Sequence, residues 1–313
     1  MKPEILLLEA MMPELEAKLD AAYTVHRPDA APDKAAFIAA LGPAVRGIVT
    51  GGGIGVSNAI ADALPKLEII AINGVGTDAV DLTRARAHGV RVTNTPDVLT
   101  DDVADLGMAL MLAASRQIVA GDRFVRAGRW AARESLPLAH KVTGKRLGII
   151  GMGRIGRAIA RRAEGFGMQI AYTDIRAVDD LPYRHVPELP QLARESDILI
   201  VAASGGAQSR GIVNREVMEA LGKDGILVNV ARGSVVDEAA LVAALQAGTL
   251  GGAGLDVFAD EPNVPRELLT MGHVVLQPHR ASATVETRLA MGELVLANLA
   301  AHFAGEALLT PVV

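Results

Sequence analysis

The chain has 313 residues, half of them apolar and only 3% aromatic, and a formal net charge of −5. This length allows a large core and two domains, and the acidic balance argues against a nucleic-acid or anionic-membrane surface. Because the sequence contains no cysteine, disulfides, thiolate zinc sites and cysteine nucleophiles are excluded, and we expect no metal site. The first apolar run is too short for a signal peptide and no run approaches the ~20 residues of a membrane span, so we expect a cytoplasmic protein.

Strand and helix patterns alternate over residues 1–97. Short apolar runs predict strands at 5–8, 23–26, 45–50, 67–72 and 91–93. Proline or polar starts between these runs predict helices at 13–20, 32–41 and 81–88. The alternation favours a small parallel sheet with helices on both faces.

A long apolar helix is predicted at 100–127. Thr100 is the expected N-cap, and acidic residues follow it in the first turn. Because this helix is apolar nearly all round, we expect it to be buried. We predict a two-fold homodimer built on it, with Trp130 reaching the neighbour's active site. Burial between the chain's own two domains is the alternative.

A dinucleotide-binding pattern follows this helix. A short buried strand, 146–150, leads into the six residues G-M-G-R-I-G (151–156), and an amphipathic helix comes next. Gly151 permits the tight turn, Gly153 lets the backbone approach a pyrophosphate, and Gly156 lets the helix pack close to the strand. The helix N-terminus adds free N–H groups and the positive end of its dipole. This context favours dinucleotide binding over a bare glycine turn.

A carboxylate at the end of the next strand bears on the choice of dinucleotide. The strand 169–173 is followed by Asp174, where a carboxylate can accept hydrogen bonds from ribose hydroxyls and repel the 2′-phosphate of NADP. Arg176, two residues further on, could instead pair with that phosphate. We predict NAD as the cofactor, with NADP as the alternative.

The alternation of strands and helices continues to the C-terminus. Further strands are predicted at 197–202, 225–230, 252–257 and 273–276, and a final helix at 284–303 that returns to the first domain. The fold class is therefore α/β, with two doubly wound parallel-sheet domains. The predicted flavodoxin-like substrate domain comprises 1–98 and 285–313, and the Rossmann NAD(P)-binding domain comprises 99–284.

Polar side chains at successive strand ends predict an active site, because ligands of open α/β sheets bind beyond the carboxyl ends of the strands. Arg232, Glu261 and His279 form a coherent set for hydride transfer at a carbon that bears oxygen. The histidine can exchange the hydroxyl proton, and a glutamate bonded to its far nitrogen would orient the ring and favour its protonated form. The arginine offers a forked donor for a substrate carboxylate. Each residue alone also fits a cap, a turn or a solvated loop, but the set favours a catalytic role.

Taken together, these motifs resemble one family, the D-isomer-specific 2-hydroxyacid dehydrogenases, over essentially the whole chain. The resemblance rests on N-G-V-G-T-D (73–78), N-T-P-D-V-L-T (94–100), the glycine loop (148–156), N-V-A-R-G (229–233), L-D-V-F with E-P (255–258 and 261–262) and P-H (278–279). Within the family, the run 94–105 is most similar to glyoxylate/hydroxypyruvate reductases.

The resemblance implies a role for each site residue. Arg232 would bind and polarise the substrate, His279 would be the acid/base, and Glu261 its partner. The backbone amides of Val75 and Gly76 would hold the substrate carboxylate. The residues expected to line the cofactor are Arg154, Ile155, Asp174, Ala231, Asp256 and Ala283.

The activity implied by the resemblance is NAD(P)-dependent reduction of small 2-keto acids, glyoxylate or hydroxypyruvate in particular. One departure bears on the substrate range: the family often has P-H-I-G where this chain has P-H-R-A (278–281). Ala281, in place of glycine, leaves less room for the backbone to approach the nicotinamide, and Arg280 adds a positive charge nearby. Two alternatives stay open, a dehydrogenase for another substrate such as a phosphonate or an aryl keto acid, and a dinucleotide-sensing interaction protein.

Overall fold

The structure is a computed structural model that describes residues 2–313. Its contacts divide the chain into two units. The terminal unit comprises the chain up to Leu99 together with Ser282–Val313, and the central unit is Thr100–Ala281. Sequence analysis places the two boundaries after residues 98 and 284.

The terminal unit is built on five parallel strands: β1 (Glu4–Leu7), β2 (Thr24–His26), β3 (Val45–Gly51), β4 (Ile69–Asn73) and β5 (Arg91–Thr93). Their order in the sheet is β2-β1-β3-β4-β5. Within residues 2–313, five α-helices belong to this unit: α1 (Pro13–Ala22), α2 (Lys34–Leu41), α3 (Asn58–Asp62), α4 (Leu82–Ala87) and α12 (Val285–Ala304). Apolar clusters bury both faces of the sheet, which is why its strands are continuous apolar runs in the sequence.

The central unit is built on seven parallel strands: β6 (Arg146–Ile150), β7 (Gln169–Thr173), β8 (Arg184–His185), β9 (Ile198–Val201), β10 (Ile226–Asn229), β11 (Gly252–Leu255) and β12 (Val274–Leu276). Its helices are α5 (Thr100–Ser115), α6 (Ile118–Arg126), α7 (Arg154–Glu164), α8 (Leu189–Arg194), α9 (Arg215–Leu221), α10 (Glu238–Ala247) and α11 (Arg266–Thr270). The strand order, β12-β11-β10-β9-β6-β7-β8, places the switch point of the sheet between β6 and β9. This is the doubly wound dinucleotide-binding arrangement, so the predicted fold class, two parallel-sheet α/β domains, is confirmed.

The prediction of one continuous apolar helix at 100–127 is wrong. The segment forms two helices, α5 and α6, which meet at 60° because Gln117 between them adopts a left-handed backbone conformation with φ 52°. The apolar character of α5 reflects packing within its own unit, against α7, β10 and β11. Gly254 of β11 permits this packing, since a Cβ there would lie 2.9 Å from Cβ of Leu110.

Three smaller predictions also need correction. The helix expected at 32–41 begins at Lys34, because the Asp33 side chain caps it by accepting from the amide of Ala36. Thr100, expected to be an N-cap, is the first residue of α5. The short elements α3 and β8 were not predicted, since each has too few residues to show a periodic pattern.

No single helix within residues 2–313 is long and apolar enough to cross a membrane, and α5 and α6 pass such a test only as a bent pair. The same residues contain no group of three or more histidine, aspartate or glutamate side chains placed to hold a metal ion.

Candidate active site

In the glycine loop after β6, two of the glycines lie where a side chain would clash with the backbone, and the third borders empty space. Gly151 has φ +92°, and a Cβ there would lie 2.7 Å from the backbone of Ala203. A Cβ on Gly156 would lie 2.0 Å from the carbonyl oxygen of Gly151. A Cβ on Gly153 would meet nothing within 4 Å, and no side chain caps the helix that starts beside it. The loop therefore leaves an uncapped helix N-terminus, which is a favourable site for a pyrophosphate.

The structure places Asp174 against this loop. One carboxylate oxygen accepts from the amide of Met152 at 2.7 Å, and the other accepts from the amide of Ile175 at 2.7 Å. Arg176 lies exposed beyond it. A fixed carboxylate thus stands beside the glycine loop, where a dinucleotide-binding sheet meets the ribose.

A buried carboxylate controls the loop that carries His279. Asp256, directly after β11, is fully buried, and its oxygens accept from the amides of Arg280 at 2.7 Å and Ala281 at 2.9 Å. The amide of His279 donates to the Asp256 carbonyl at 2.8 Å. Burial raises the pKa of Asp256, and the two amide hydrogen bonds oppose that rise. These contacts hold His279 at φ +52°, a conformation that non-glycine residues seldom adopt.

Glu261 binds the imidazole of His279. Its Oε2 lies 2.7 Å from Nδ1 of the ring, and its Oε1 accepts from the amide of Phe258 at 3.0 Å. Burial opposes ionisation of this carboxyl, but the hydrogen bonds from His279 and Phe258 and the charge of Arg232 leave its pKa below the usual range. Glu261 is therefore a carboxylate at neutral pH, and the Nε2 atom is the imidazole nitrogen left for chemistry.

Arg232 lies on a loop whose backbone packs closely against the loop that carries Glu261. The buried Asn229 donates from Nδ2 to the carbonyl of Arg232 at 2.9 Å and accepts from the amide of Ala231 at 3.0 Å. A Cβ on Gly233 would lie 1.9 Å from the backbone of Phe258. Only glycine permits this approach of the two loops, which keeps Arg232 close enough to lower the pKa of Glu261.

The terminal unit holds the remaining predicted substrate residues. The carbonyl of Val75 accepts from Nδ2 of Asn94 at 2.8 Å, and the carbonyl of Gly74 accepts from the amide of Thr95 at 2.9 Å. Both carbonyls of the turn are thus engaged, whereas the amides of Val75 and Gly76 donate to no other residue in the range 2–313. Two adjacent N–H groups of this kind suit a carboxylate.

The central unit therefore brings together three of the predicted residues, Arg232, Glu261 and His279. Ala283 and the turn at Val75 belong to the terminal unit. Sequence reasoning missed the bracing residues. It gave Asp256 only a cofactor role, whereas both carboxylate oxygens hold the loop after His279, and it gave Asn229 and Gly233 no role of their own. The only available signal was their position inside the motifs that carry Arg232 and His279.

An open glycine turn beside a carboxylate, together with a histidine–glutamate pair near an arginine, defines a dinucleotide-dependent oxidoreductase. Comparison with known proteins agrees. Residues 108–281 match the family model described as D-isomer specific 2-hydroxyacid dehydrogenase, NAD binding domain. The chain belongs to this family, and it is an NAD(P)-dependent 2-hydroxyacid dehydrogenase.

Three relatives illustrate the similarity. The chain is 49% identical to a 2-ketogluconate reductase of Gluconobacter oxydans, covering 100% of this chain and 99% of that protein. It is 46% identical to a glyoxylate/hydroxypyruvate reductase of Arabidopsis thaliana, and the match covers 99% of this chain and 98% of that protein. An NADPH-dependent glyoxylate/hydroxypyruvate reductase of Sinorhizobium meliloti, solved with NADP and malonate, is 45% identical with a TM-score of 0.92, covering 100% and 97%.

The glycine loop yields a paired prediction. Gly153→Ala should leave the free energy of unfolding within about 1 kcal/mol of wild type, because the added Cβ meets nothing. It should weaken NADH binding about tenfold or more, ~1.4 kcal/mol, by filling the space over the helix N-terminus. Gly156→Ala should instead lower the free energy of unfolding by at least ~1–3 kcal/mol, because its Cβ strikes a backbone carbonyl.

Urea unfolding and NADH fluorescence titration measure the two effects separately. If Gly153→Ala bound NADH as tightly as wild type, the assignment of this turn to the pyrophosphate would fail.

Proposed function

We propose that this enzyme reduces glyoxylate and hydroxypyruvate to the corresponding 2-hydroxyacids. The observation that carries the proposal is the His279–Glu261 pair, which is fixed by Asp256 and lies beside Arg232. The relatives from Arabidopsis thaliana and Sinorhizobium meliloti, named for these two substrates, support it. The relative from Gluconobacter oxydans favours a second candidate substrate, 2-ketogluconate, which presents the same 2-keto acid group.

His279 is the general acid in this proposal. In this proposal the ring reacts as the doubly protonated imidazolium: its Nδ1–H donates to the Glu261 carboxylate, and its Nε2–H passes to the keto oxygen as that oxygen becomes a hydroxyl. The Glu261 carboxylate orients the ring and stabilises its positive charge. When bound, the reduced nicotinamide supplies the hydride for the keto carbon.

Substrate binding requires donors for one carboxylate and one keto oxygen. In the central unit, Arg232 offers a forked donor. A role for the amides of Val75 and Gly76 in holding the carboxylate remains a prediction from the family resemblance. In this proposal the arginine also polarises the keto group, because its fixed positive charge stabilises the negative charge that develops on that oxygen.

The cofactor would be held by the central unit's own backbone and side chains. The amides at the start of α7, from Arg154 and Ile155, follow Gly153, where a Cβ would meet nothing within 4 Å, and the N-terminus of a helix favours a phosphate. Asp174 would accept from the ribose hydroxyls. Contacts from Ala231, Asp256 and Ala283 remain predictions from the family resemblance.

The direct test of the proposal is a panel of 2-keto acids, with NADH and NADPH absorbance followed for each. We expect the highest kcat/KM values for glyoxylate, hydroxypyruvate or 2-ketogluconate, and lower values for aryl keto acids and phosphonates. Absence of turnover with every 2-keto acid would contradict the proposal and would favour the dinucleotide-sensing alternative.

The acid/base assignment predicts different outcomes for the two members of the pair. His279→Asn should cut kcat roughly 10²–10⁴-fold, because proton transfer to the keto oxygen is lost, while NADH binding stays near wild type. Glu261→Gln should keep measurable turnover but lower kcat less than His279→Asn does, because the ring keeps its proton-transfer atom and loses only the carboxylate that orients it. Wild-type turnover in His279→Asn would disprove its role.

For the cofactor, we propose a preference for NAD over NADP. A 2′-phosphate beside Asp174 would meet like charge, and the Asp174 side chain is fixed there by the amides of Met152 and Ile175. The family match to an NAD-binding model is compatible with either cofactor, and the Sinorhizobium meliloti relative uses NADPH.

Asp174→Ser tests this preference. The substitution should raise the NADPH/NADH ratio of kcat/KM about tenfold or more, the factor that corresponds to ~1.4 kcal/mol of lost repulsion. Asp174→Asn is the matched control, since it removes the charge but keeps an oxygen to accept from Met152. If the wild-type enzyme already prefers NADPH, Asp174 does not control the choice.

We also propose a homodimer, with its candidate interface on the segment that follows α5. The helix α5 packs on its own unit, whereas large apolar side chains are exposed between 118 and 138. Trp130 is 71% exposed and Leu138 is 94% exposed. An exposed apolar stretch of this length is typical of a subunit interface.

Sedimentation velocity at micromolar concentration should show a dimer for the wild-type protein. Leu138→Glu should shift it toward monomer, because a carboxylate would be buried without a partner. The matched control is Leu269→Glu, which changes a side chain that is 56% exposed on α11 and should leave the dimer intact. A wild-type monomer would contradict the proposal.

A further inference from the structure

The turn 74–76 in the terminal unit is held at two of its carbonyls. The carbonyl of Gly74 accepts from the amide of Thr95 at 2.9 Å, and the carbonyl of Val75 accepts from Nδ2 of Asn94 at 2.8 Å. In a planar trans peptide, the carbonyl of one residue and the N–H of the next point in opposite directions. The bond to the Gly74 carbonyl therefore orients the N–H of Val75, and the bond to the Val75 carbonyl orients the N–H that follows it.

The two amides oriented in this way, those of Val75 and Gly76, are the ones that the family resemblance assigns to the substrate carboxylate. One of the two holding bonds comes from the backbone of Thr95, so any residue except proline could make it. The other comes from a side chain, that of Asn94. The identity of residue 94 therefore decides how firmly the N–H of Gly76 is oriented.

Asn94 is itself held by the segment 310–313, which runs antiparallel to β5. An antiparallel bridge joins Pro311 to Thr93 of that strand. The hydroxyl of Thr310 donates to the carbonyl of Asn94 at 2.6 Å, and the amide of Asn94 donates back to the carbonyl of Thr310 at 3.4 Å. Both polar groups of the Asn94 backbone thus bind one residue.

A buried asparagine on α12 fixes Thr310 in turn. Asn298 is fully buried, and its Oδ1 accepts from the amides of Leu309 at 3.0 Å and Thr310 at 3.2 Å. Its Nδ2 donates to the carbonyl of Leu294 at 2.8 Å and to the hydroxyl of Thr310 at 2.9 Å. All four hydrogen-bonding positions of this amide are used. Because the Thr310 hydroxyl accepts from Asn298, its single proton is left to donate to Asn94.

We propose that Asn94, Thr310 and Asn298 form a hydrogen-bonded chain of positioning residues that orients the N–H of Gly76 for the carboxylate of the substrate. A donor whose direction is set before binding holds an anion more tightly, because the turn loses no freedom when the anion arrives. The three residues act through the turn and not on the reacting atoms. The inference rests on the proposed function, because it takes the amides of Val75 and Gly76 as the site of that carboxylate.

Steady-state kinetics test the proposal, with NADH and the best 2-keto acid substrate of the wild-type enzyme. Asn94→Ala removes the bond to the Val75 carbonyl and should raise KM about tenfold, the size of effect expected when a hydrogen bond to a charged group is weakened. The value of kcat should stay within about twofold, because a carboxylate held equally in the ground state and the transition state contributes to KM alone. The dissociation constant of NADH, measured by fluorescence titration, should not change.

A second pair of variants tests the more distant part of the chain. Thr310→Val keeps the shape of the side chain but removes the hydroxyl, so KM should rise about threefold, the size of effect expected for one neutral hydrogen bond. Thr310→Ser restores the hydroxyl and should return KM to the wild-type value. Thr83→Val changes an exposed threonine on α4 and is the matched control, which should leave KM unchanged.

The outcomes are separable. If wild type reduces 2-keto acids but either Asn94→Ala or Thr310→Val leaves KM unchanged, or lowers the melting temperature alone, the positioning role is overturned and the proposed function stands. The same holds if kcat and NADH binding fall by the same factor as the affinity for the keto acid. If wild type reduces no 2-keto acid, the proposed function itself fails and the positioning role fails with it.

Discussion

The site depends on one buried carboxylate, that of Asp256. Placing an acidic group where water cannot reach it is costly, and the rise in the pKa of Asp256 reflects that cost. The amides of Arg280 and Ala281 offset the cost by donating to its two oxygens. Because these donors are backbone groups of the loop that follows β12, satisfying the buried acid fixes the path of that loop. His279 is held in a left-handed backbone conformation as a result.

The rest of the candidate site is held to that loop by close backbone contacts. Gly233 lets the Arg232 loop touch the backbone of Phe258, and the amide of Phe258 binds Glu261. As a result, the Glu261 carboxylate has the Arg232 guanidinium near it and is hydrogen-bonded to the His279 imidazole. The hydrogen bonds from His279 and Phe258 and the charge of Arg232 keep Glu261 ionised despite its burial, and an ionised Glu261 is what orients the imidazole. Position and protonation state are therefore set by the same contacts.

Local sequence patterns predict most of the fold, but they do not predict the contacts that hold the loops of the site in place. The strands at 146–150 and 169–173 could be predicted to the residue, because each is an apolar run bounded by polar residues or glycine. The break at Gln117 could not, since neither proline nor glycine marks it. Residue types at strand ends pointed to Glu261 and His279. The role of Asp256 depends on amides 24 and 25 positions away, which no local pattern encodes.

Amide hydrogen exchange at Arg280 and Ala281 tests the central claim most directly. Both amides lie in a loop, yet hydrogen bonds to a buried carboxylate should slow their exchange to the rates of the strand interior. In Asp256→Asn, one of the two acceptor oxygens becomes a donor group, so at least one amide should lose this protection and turnover should fall with it. Exchange at the rate of an exposed loop in the wild-type protein would contradict the account, because Asp256 would then not hold His279 in place.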